Sequence, residues 1–537
     1  MPNTRRPITR RFRLAALAVL ATSVLLAGCT SGGGEAGDDE AEHVYIEAIS
    51  ADPINFNPQV TNSPTVTRFA SAIYDGLVGI TTDSEIFPVL AKSWEYNADG
   101  TELTLELEEG VTWHDGEPFT AEDVKFNFEE VMAFQTYGAA IAASIDSVDA
   151  PDDHTVVLHL NSQYGPFMEA LALQVILPKH IYEGTDFTTN PANLEPIGTG
   201  PMKFDSFSSG SEVVLVKNED YWRGDVQVDR AIYPIMADPN ARTLSLISGE
   251  IDQAAIDASQ LDQIAQNPDL VHLEGNYFAQ AVVVEMNATN QYLADPEVRA
   301  LVFSALDRET IAEGALAGYG EAATGFLPDS IPWAVEETVD FDKDFAYDVD
   351  AINDGLDAAG YPAAADGTRF TLNAKYITEL SDTADAAEQA KSMLAEVGIA
   401  LNLEAATSAI FTDQVYTQGN FDLAFLRTTV SSDPGLGVAR WYTCNPDKMA
   451  ARNPSGICDE GIDAAAAAAN ATTDRDARAV ALKDMQKQAK ELIFFAPLVW
   501  TNANFPTINT ARWDGLETLD ADTSNGSMNW LTMTWKG

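Results

Sequence analysis

Strand and helix signals alternate along nearly the whole chain, and this mixture limits its fold more than any other feature. Alternating apolar residues predict a first strand over 43–49 and a hairpin around an Asn-Ala-Asp-Gly turn at 97–100. Thr120 and Asp295 are placed to cap helices that follow them. Further predicted helices cover 64–78, 346–360, 386–397, 462–471 and 474–491, and further strands 155–160, 369–376, 399–404, 421–426 and 496–500. The intermixing predicts an α/β protein built around sheets.

The length of the chain predicts more than one lobe. Of the 537 residues, those from 43 onward are the ones with strand and helix patterns. A single hydrophobic core stops growing at about 250–300 residues. We therefore expect two or more lobes, and the mixture of strands and helices favours two lobes that are each centred on a sheet. The sequence shows no internal repeat.

The first 28 residues have the pattern of a secretory signal. Five arginines precede an apolar run at 14–27, which is shorter than the about 20 residues that a permanent membrane helix needs. Cys29 directly follows a small Ala-Gly pair and resembles the acylated cysteine of a bacterial lipobox. We predict a signal peptide at 1–28 and a lipid anchor on Cys29, which places the protein outside the cytoplasm on the cell membrane. An ordinary secreted protein is the alternative, and Arg10-Arg11 leaves the Sec and twin-arginine routes open.

Residues 29–42 predict a flexible tether. The stretch SGGGEAGDDEAE at 31–42 has almost no side chain that could be buried. Nothing later in the chain is long and apolar enough to cross a membrane.

The net charge of −51 excludes nucleic acid as a partner, because phosphate binding needs clustered Lys and Arg. The acidic residues are dispersed, which favours a strongly solvated surface over a specific cation site. Adaptation to a saline habitat stays open.

Two cysteines remain besides Cys29. Cys444 and Cys458 form an even pair in an oxidising location, and we predict a disulfide that closes a short loop. Two unpaired thiols are the alternative. Neither cysteine has a neighbouring His suited to metal binding or nucleophilic chemistry.

The sequence offers no catalytic constellation, and we predict no enzyme, cofactor or metal site. The six histidines lack HExxH spacing, and no Gly-x-Ser-x-Gly elbow occurs. Gly198 and Gly200 are followed by no Lys-Ser/Thr, so a structural bend is favoured over a phosphate loop. His114 precedes Asp-Gly and is interpreted as part of a structural turn.

Six segments, in this order, resemble the extracellular solute-binding proteins of peptide/nickel-type ABC transporters, family 5. The strongest is EPIGTGPMKF at 195–204. The others are PVLAKSW at 88–94, GVTWHDGEPFTAEDV at 110–124, GEID at 249–252, DPEVRAL at 295–301 and ALDRE at 305–309. The resemblance implies a periplasmic-binding-protein-like fold of the large cluster C type, in which two lobes close on a solute and deliver it to a membrane permease.

The same resemblance implies the domain organisation. Lobe I would span 43–284, with an inserted subdomain at about 80–190. Lobe II would span 285–501, and 502–537 would return to lobe I. The chain would cross between lobes near 284–287 and 500–504.

Two loops are the predicted solute contacts. After Phe-Asn-Pro-Gln at 56–59, Asn62 and Ser63 occupy positions that contact the ligand in dipeptide-binding relatives. The second loop follows the strand 421–426 and contributes Arg427, Thr428, Thr429 and Asp433. In relatives it runs beside an extended peptide as an added strand does.

This second loop departs from its relatives at one position. Val430 stands where they have the Asp that binds the ammonium group of the peptide. Either Asp433 supplies the charge, or the ligand has no free amino terminus there. Arg427 suits a ligand carboxylate or, equally, a structural salt bridge.

Aromatic side chains are predicted to line the cleft. They are Tyr277, Phe278, Trp441, Tyr442 and Trp500, and each alone is as well suited to a core. The solute implied by the resemblance is an oligopeptide. Nickel chelates, oligosaccharides and opine-like compounds are alternatives, and a surface peptidase is the alternative from another class.

Overall fold

The computed structural model describes residues 42–61, 64–81, 84–135, 137–257, 260–273, 280–431, 433–501, 506–516 and 530–537. Four predicted contacts, Asn62, Ser63, Tyr277 and Phe278, lie outside these residues, as do Cys29 and most of the predicted tether. Within the described part of the chain, no helix combines the length and the apolar character that a membrane span requires.

The chain first builds a large lobe with an insertion. Its strands are β1 Val44–Ala48, β2 Val78–Ile80, β3 Ile86–Pro88, β4 Ala91–Tyr96, β5 Glu102–Leu107, β6 Ile145–Asp152, β7 Thr155–Leu160, β8 Met202–Ser208, β9 Glu212–Lys217, β10 Arg230–Pro234, β11 Gln253–Ala255 and β12 Leu270–His272. Its helices are α1 Pro64–Ile73, α2 Ala121–Phe126, α3 Gly138–Ser144, α4 Phe167–Leu171, α5 Lys179–Tyr182, α6 Pro239–Ser248 and α7 Leu261–Ile264. Short helical turns at Asn127–Val131, Met132–Phe134 and Pro191–Asn193 complete it.

The second lobe follows in the chain, from β13 onward. Its strands are β13 Gln280–Met286, β14 Gly320–Ala322, β15 Phe370–Ile377, β16 Ile399–Ala406, β17 Leu423–Thr429 and β18 Phe495–Thr501. Its helices are α8 Pro296–Ser304, α9 Arg308–Ala315, α10 Phe341–Asp344, α11 Val349–Ala358, α12 Ser381–Glu396, α13 Ser408–Thr412, α14 Pro434–Gly437, α15 Glu460–Asn470 and α16 Arg475–Leu492. Helical turns lie at Asp413–Thr417 and Ala439–Trp441. The chain then adds β19 Pro506–Asn509, β20 Trp513–Asp514 and β21 Thr534–Trp535.

Each lobe is organised around one sheet. The lobe I sheet has the order β12-β19-β11-β1-β10-β9-β8, so the late strand β19 lies between two early ones. The lobe II sheet has the order β14-β18-β13-β17-β15-β16. The predicted insertion holds a separate antiparallel sheet, β4-β5-β7-β6, with its own apolar core.

The sheets move one predicted lobe boundary. Strand β13 pairs with β17 from Gln280 to Met286 and with β18 from Gln280 to Glu285. The strand before it, β12, belongs to lobe I. Gln280 therefore already belongs to the lobe II sheet, whereas the sequence analysis placed the first crossing near 284–287. Strand β18, which ends at Thr501, belongs to the lobe II sheet, and β19, which begins at Pro506, belongs to the lobe I sheet.

Local chemistry explains where several helices begin. The Asp295 carboxylate accepts a hydrogen bond from the Glu297 amide at 2.9 Å, and Pro296 occupies the first helical position. Thr120 and Asp123 form a reciprocal capping box at the start of α2. These caps fix the ends of elements whose apolar sides pack on the sheets.

Candidate functional site

At one end of three central strands of lobe II, Gln280 of β13 is the register partner of both Thr429 of β17 and Thr501 of β18. Across these strands, Thr428 and Trp500 are both register partners of Ala281. Directly opposed residues in antiparallel strands point to the same face, and strands lie about 4.8 Å apart. Thr428 and Trp500 therefore share one face of the sheet, on either side of a small residue. Thr429 is opposite Gln280 in the next row.

The segment after β17 folds back tightly on itself. Ser431 has a left-handed backbone conformation with φ of 66°, which is uncommon outside glycine. Gly437 lies so close to the Val430 carbonyl that a side chain there would collide with it. Strained backbone of this kind is found preferentially at binding and switch sites.

Polar atoms without partners concentrate in this segment. Thr428 Oγ1, Ser431 Oγ, Arg440 Nε and Trp441 Nε1 are buried, and none has a hydrogen-bond partner among the residues that the structure describes. Buried polar atoms are almost always paired, so each exception needs an explanation. Four exceptions within fourteen residues mark this segment as the candidate site.

Glu285 is a buried acidic side chain further along β13, and the sequence analysis missed it. It is fully buried on β13, between Ala424 and Phe495, and neither carboxyl oxygen has a partner among the described residues. Burial raises the pKa of the Glu285 carboxyl well above its ordinary value, which favours the neutral, proton-donating form. A lone carboxylate inside the apolar run of β13 was the available signal.

Asp433 has its partners inside the protein, which corrects its predicted role. Its carboxylate is fully buried and accepts hydrogen bonds from Arg478 Nη2 at 2.6 Å to both oxygens. It also accepts one from the Gly435 amide at 2.8 Å, capping α14. An ion pair as enclosed as this is poorly placed to receive the ammonium group of a solute.

Arg427 forms the structural salt bridge that was one of its two predicted roles. Its Nε and Nη2 donate to Asp382 Oδ2 at 2.9 and 2.6 Å, and Asp382 is buried at the start of α12. Because side chains alternate along a strand, Arg427 points away from the face of Thr428.

Trp441 and Tyr442 lie in the lobe II core, which corrects their prediction as cleft walls. The Trp441 ring stacks on Phe495 with centroids 5.1 Å apart. The Tyr442 hydroxyl donates to the Phe495 carbonyl at 3.0 Å. Only Trp500 among the described aromatic candidates is half-buried. The rings of Trp441 and Tyr442 are buried by packing within the lobe II core.

The remaining candidate chemistry is structural. Cys444 and Cys458 are joined in a disulfide. His114 Nδ1 accepts from the Gly198 amide at 3.2 Å, and its Nε2 lies 3.0 Å from the Gly200 carbonyl, to which it donates. Burial lowers the pKa of His114 to about 4. In the described part of the chain, no group of three His, Cys, Asp or Glu is arranged to hold a metal ion.

A model of a known protein family matches more than half of the chain. Residues 85–449 match the bacterial extracellular solute-binding proteins, family 5 Middle. A putative ABC transporter peptide-binding protein of Brucella ovis is 31% identical over 448 residues, covering 79% of this chain and 81% of the relative.

Solved structures share the fold. The oligopeptide-binding protein AppA of Bacillus subtilis, in complex with a nonapeptide, superposes with a TM-score of 0.75 at 21% identity, covering 92% of this chain and 100% of AppA. NikZ of Campylobacter jejuni, in complex with Ni(L-His), gives 0.75 at 23% identity, covering 91% and 99%. The predicted two-lobed α/β fold is confirmed.

Proposed function

The chain belongs to the bacterial extracellular solute-binding proteins, family 5, and we propose on this premise that it captures an oligopeptide outside the cytoplasm for delivery to an ABC permease. The family is described as one of extracellular solute-binding proteins. The peptide is favoured because the Brucella relative is named as a peptide-binding protein and AppA was solved with a nonapeptide.

One observation supports this function best: the group of unpartnered polar atoms beside the end of β17. A peptide backbone offers both N–H donors and C=O acceptors along its length, as an added strand does. Thr428 Oγ1 and Ser431 Oγ can each donate and accept, whereas Arg440 Nε donates only. The set suits a ligand with alternating donors and acceptors.

The mechanism requires no covalent step. A solute enters between the lobes and replaces water at these polar atoms, and hinge closure then buries it. Capture ends when the permease opens the lobes.

Ligand recovered with the protein tests the solute class. The chain would be purified under mild conditions from a bacterium that exports it, and bound molecules released and weighed by native mass spectrometry. We expect a series of peptide masses. A sugar or a nickel chelate as the bound species would overturn the peptide assignment, and cleavage of added peptides would overturn the binding function.

A substitution tests the proposed site. Replacing Thr428 with Val removes the hydroxyl and keeps the shape, and it should weaken binding of the recovered peptide about tenfold, as the loss of one good hydrogen bond predicts. Thr371→Val, at an exposed position of β15, is the matched control. Equal affinities of the two variants in isothermal titration would exclude Thr428 from the site.

The lipid anchor on Cys29 is a separate part of the proposal. Cys29→Ser should release the protein into the medium or periplasm, leave peptide affinity unchanged and reduce uptake. Retention of the variant in the membrane fraction would contradict acylation at this position.

A further inference from the structure

The insertion in lobe I touches lobe II at one closely packed place. The Gly165 amide donates to the Asn470 carbonyl at 2.8 Å, joining the two lobes through backbone atoms. A Cβ at Gly165 would lie 2.5 Å from the Thr472 carbonyl and 2.6 Å from that of Ala469. Leu436 of lobe II is also buried in the apolar core of the insertion. Only glycine permits this approach at position 165.

Charged side chains meet at the same place. Glu169, on α4, lies 3.7 Å from Arg478 Nη1, while Nη2 of the same guanidinium binds Asp433. Arg478 is nearly fully buried, and its Nε donates to the Ala469 carbonyl at 3.0 Å. One arginine therefore connects a carboxylate of each lobe.

We propose that this contact, here called the seam, is a latch that holds the lobes together in the solute-loaded state. The seam comprises Gly165 and Glu169 of lobe I with Asp433, Asn470 and Arg478 of lobe II. Because the seam can form only when the lobes are together, its bonds add to the free energy of closure. The inference deepens the proposed function and rests on it.

The charges in the seam make the latch sensitive to pH. Burial, with Asp433 adding to it, raises the pKa of Glu169 to about 7 from its ordinary 4.5, and Arg478 and Arg475 only partly oppose the shift. The rings of Tyr96 and Tyr164 also face this carboxyl. Glu169 in separated lobes is solvated and keeps its ordinary pKa, so closure takes up a proton. The latch is strongest below pH 4.5 and weakens as the pH rises to 7.

Gly165→Ala tests the close approach. Its backbone φ is not in the left-handed region, so alanine should fold normally within lobe I and collide only across the seam. Gly325→Ala, where the nearest atom to a Cβ is 3.9 Å away, is the control. With an equimolar pool of tripeptides as probe, wild type and Gly325→Ala should contract in small-angle X-ray scattering, and Gly165→Ala should not.

Glu169→Gln tests the charge. Hydrogen–deuterium exchange of the ligand-free chain over residues 161–170 should show, after correction for intrinsic exchange, about tenfold more protection at pH 5.5 than at pH 7.5 in the wild type. The glutamine variant should be equally protected at both values. Glu130→Gln, exposed in the same subdomain, should behave as the wild type.

The outcomes separate the latch from the proposed function. The wild type could fail to contract with tripeptides and still show pH-dependent protection of residues 161–170. That result would support the latch and refute peptides as the solute. Normal contraction of Gly165→Ala refutes the latch. So does a lowered melting temperature of Gly165→Ala without any change in contraction, because the seam is then a permanent structural contact.

Discussion

Thr199 in lobe I and Thr428 in lobe II are both buried threonines, and their hydroxyl groups are in opposite states. Thr199 Oγ1 donates to Asp75 Oδ2 at 2.9 Å. Thr428 Oγ1 has no partner among the described residues. The first belongs to the sequence motif that most clearly marks the family, and the second to a loop that departs from the family pattern. The contrast teaches that the recognisable motif is structural and that the binding capacity lies elsewhere.

The lobe I motif is satisfied as a network. Asp75 also accepts hydrogen bonds from the Tyr221 hydroxyl at 3.1 Å and from Trp222 Nε1 at 3.0 Å. The neighbouring glycines of the motif are held by His114. No polar group of this network is left to contact a solute, so its substitution should affect stability first.

Removing Asp75 should give the largest effect. Asp75→Ala leaves two buried donors and one partly buried donor without their acceptor and should lower the free energy of unfolding by about 4 kcal/mol. Asp220→Ala, an exposed aspartate of the same lobe, is the control and should be nearly neutral. Urea denaturation followed by tryptophan fluorescence measures both. Equal stability of the two variants would show that the network does not hold the motif.

We expect acid to lower the stability of the folded protein, because protonation of His114 is unfavourable in its buried position within the lobe I motif. The folded protein keeps the pKa of His114 at about 4, below its ordinary 6.5, so the unfolded chain binds the proton first as the pH falls. This contribution to stability is complete above pH 6.5 and is lost towards pH 4, amounting to about 2 kcal/mol between pH 7 and 4.5.

The pH effect is measured by comparing unfolding at pH 7 and 4.5 in the wild type and in His114→Gln. The variant should lose less stability between the two values than the wild type does. His159→Gln, at a half-exposed position, should retain the wild-type dependence. If His114→Gln also retained it, the acid sensitivity would arise elsewhere.

A Thr→Val substitution at Thr199 and at Thr428 tests directly whether the two hydroxyl groups differ in their contribution to stability. Thr199→Val breaks a buried hydrogen bond to a carboxylate and should cost about 1.5 kcal/mol of unfolding free energy. Differential scanning calorimetry at neutral pH measures it. An unchanged lobe I transition would mean that the Asp75 network tolerates the loss of one donor.

Thr428→Val should have the smallest effect on stability. It removes an unpaired hydroxyl and keeps the side-chain volume, so the unfolding free energy should change by less than about 0.5 kcal/mol. The same calorimetric scan provides the measurement. A loss as large as that of Thr199→Val would show that Thr428 has a partner within the protein, and the contrast between the lobes would disappear.

Elements specified by neighbouring residues could be predicted from the sequence. The helix capped by Asp295 begins at Pro296, and the predicted hairpin forms with Trp94 opposite Leu105. Both depend on contacts a few residues apart, which a sequence displays directly.

Element ends set by distant partners were predicted less well. The helix from Pro64 ends at Ile73 and not at 78, because Val78 pairs with Pro88 in β2 and β3. The strand predicted at 421–426 runs instead over Leu423–Thr429. It extends this far because its pairing with β13 continues to Thr429, which lies opposite Gln280.

The site was the hardest part to predict. Asp433 and Arg478 are 45 residues apart, and no local pattern reveals that each neutralises the other. Trp441 has an apolar ring suited equally to a core and to a cleft, and only the stacking on Phe495 decides. Glu285 was visible as an isolated charge in an apolar strand, whereas the unpartnered state of Thr428 exists only in three dimensions.

The position of β19 within the lobe I sheet has a consequence for biogenesis. His272 of β12 is paired with Thr507 of β19, 235 residues further along the chain. During synthesis or export, lobe I therefore has an incomplete sheet until lobe II has been made, whereas every strand of the lobe II sheet lies within one continuous segment. Lobe II can therefore fold first. During that interval the unpaired strand edges of lobe I are exposed to aggregation and to chaperones.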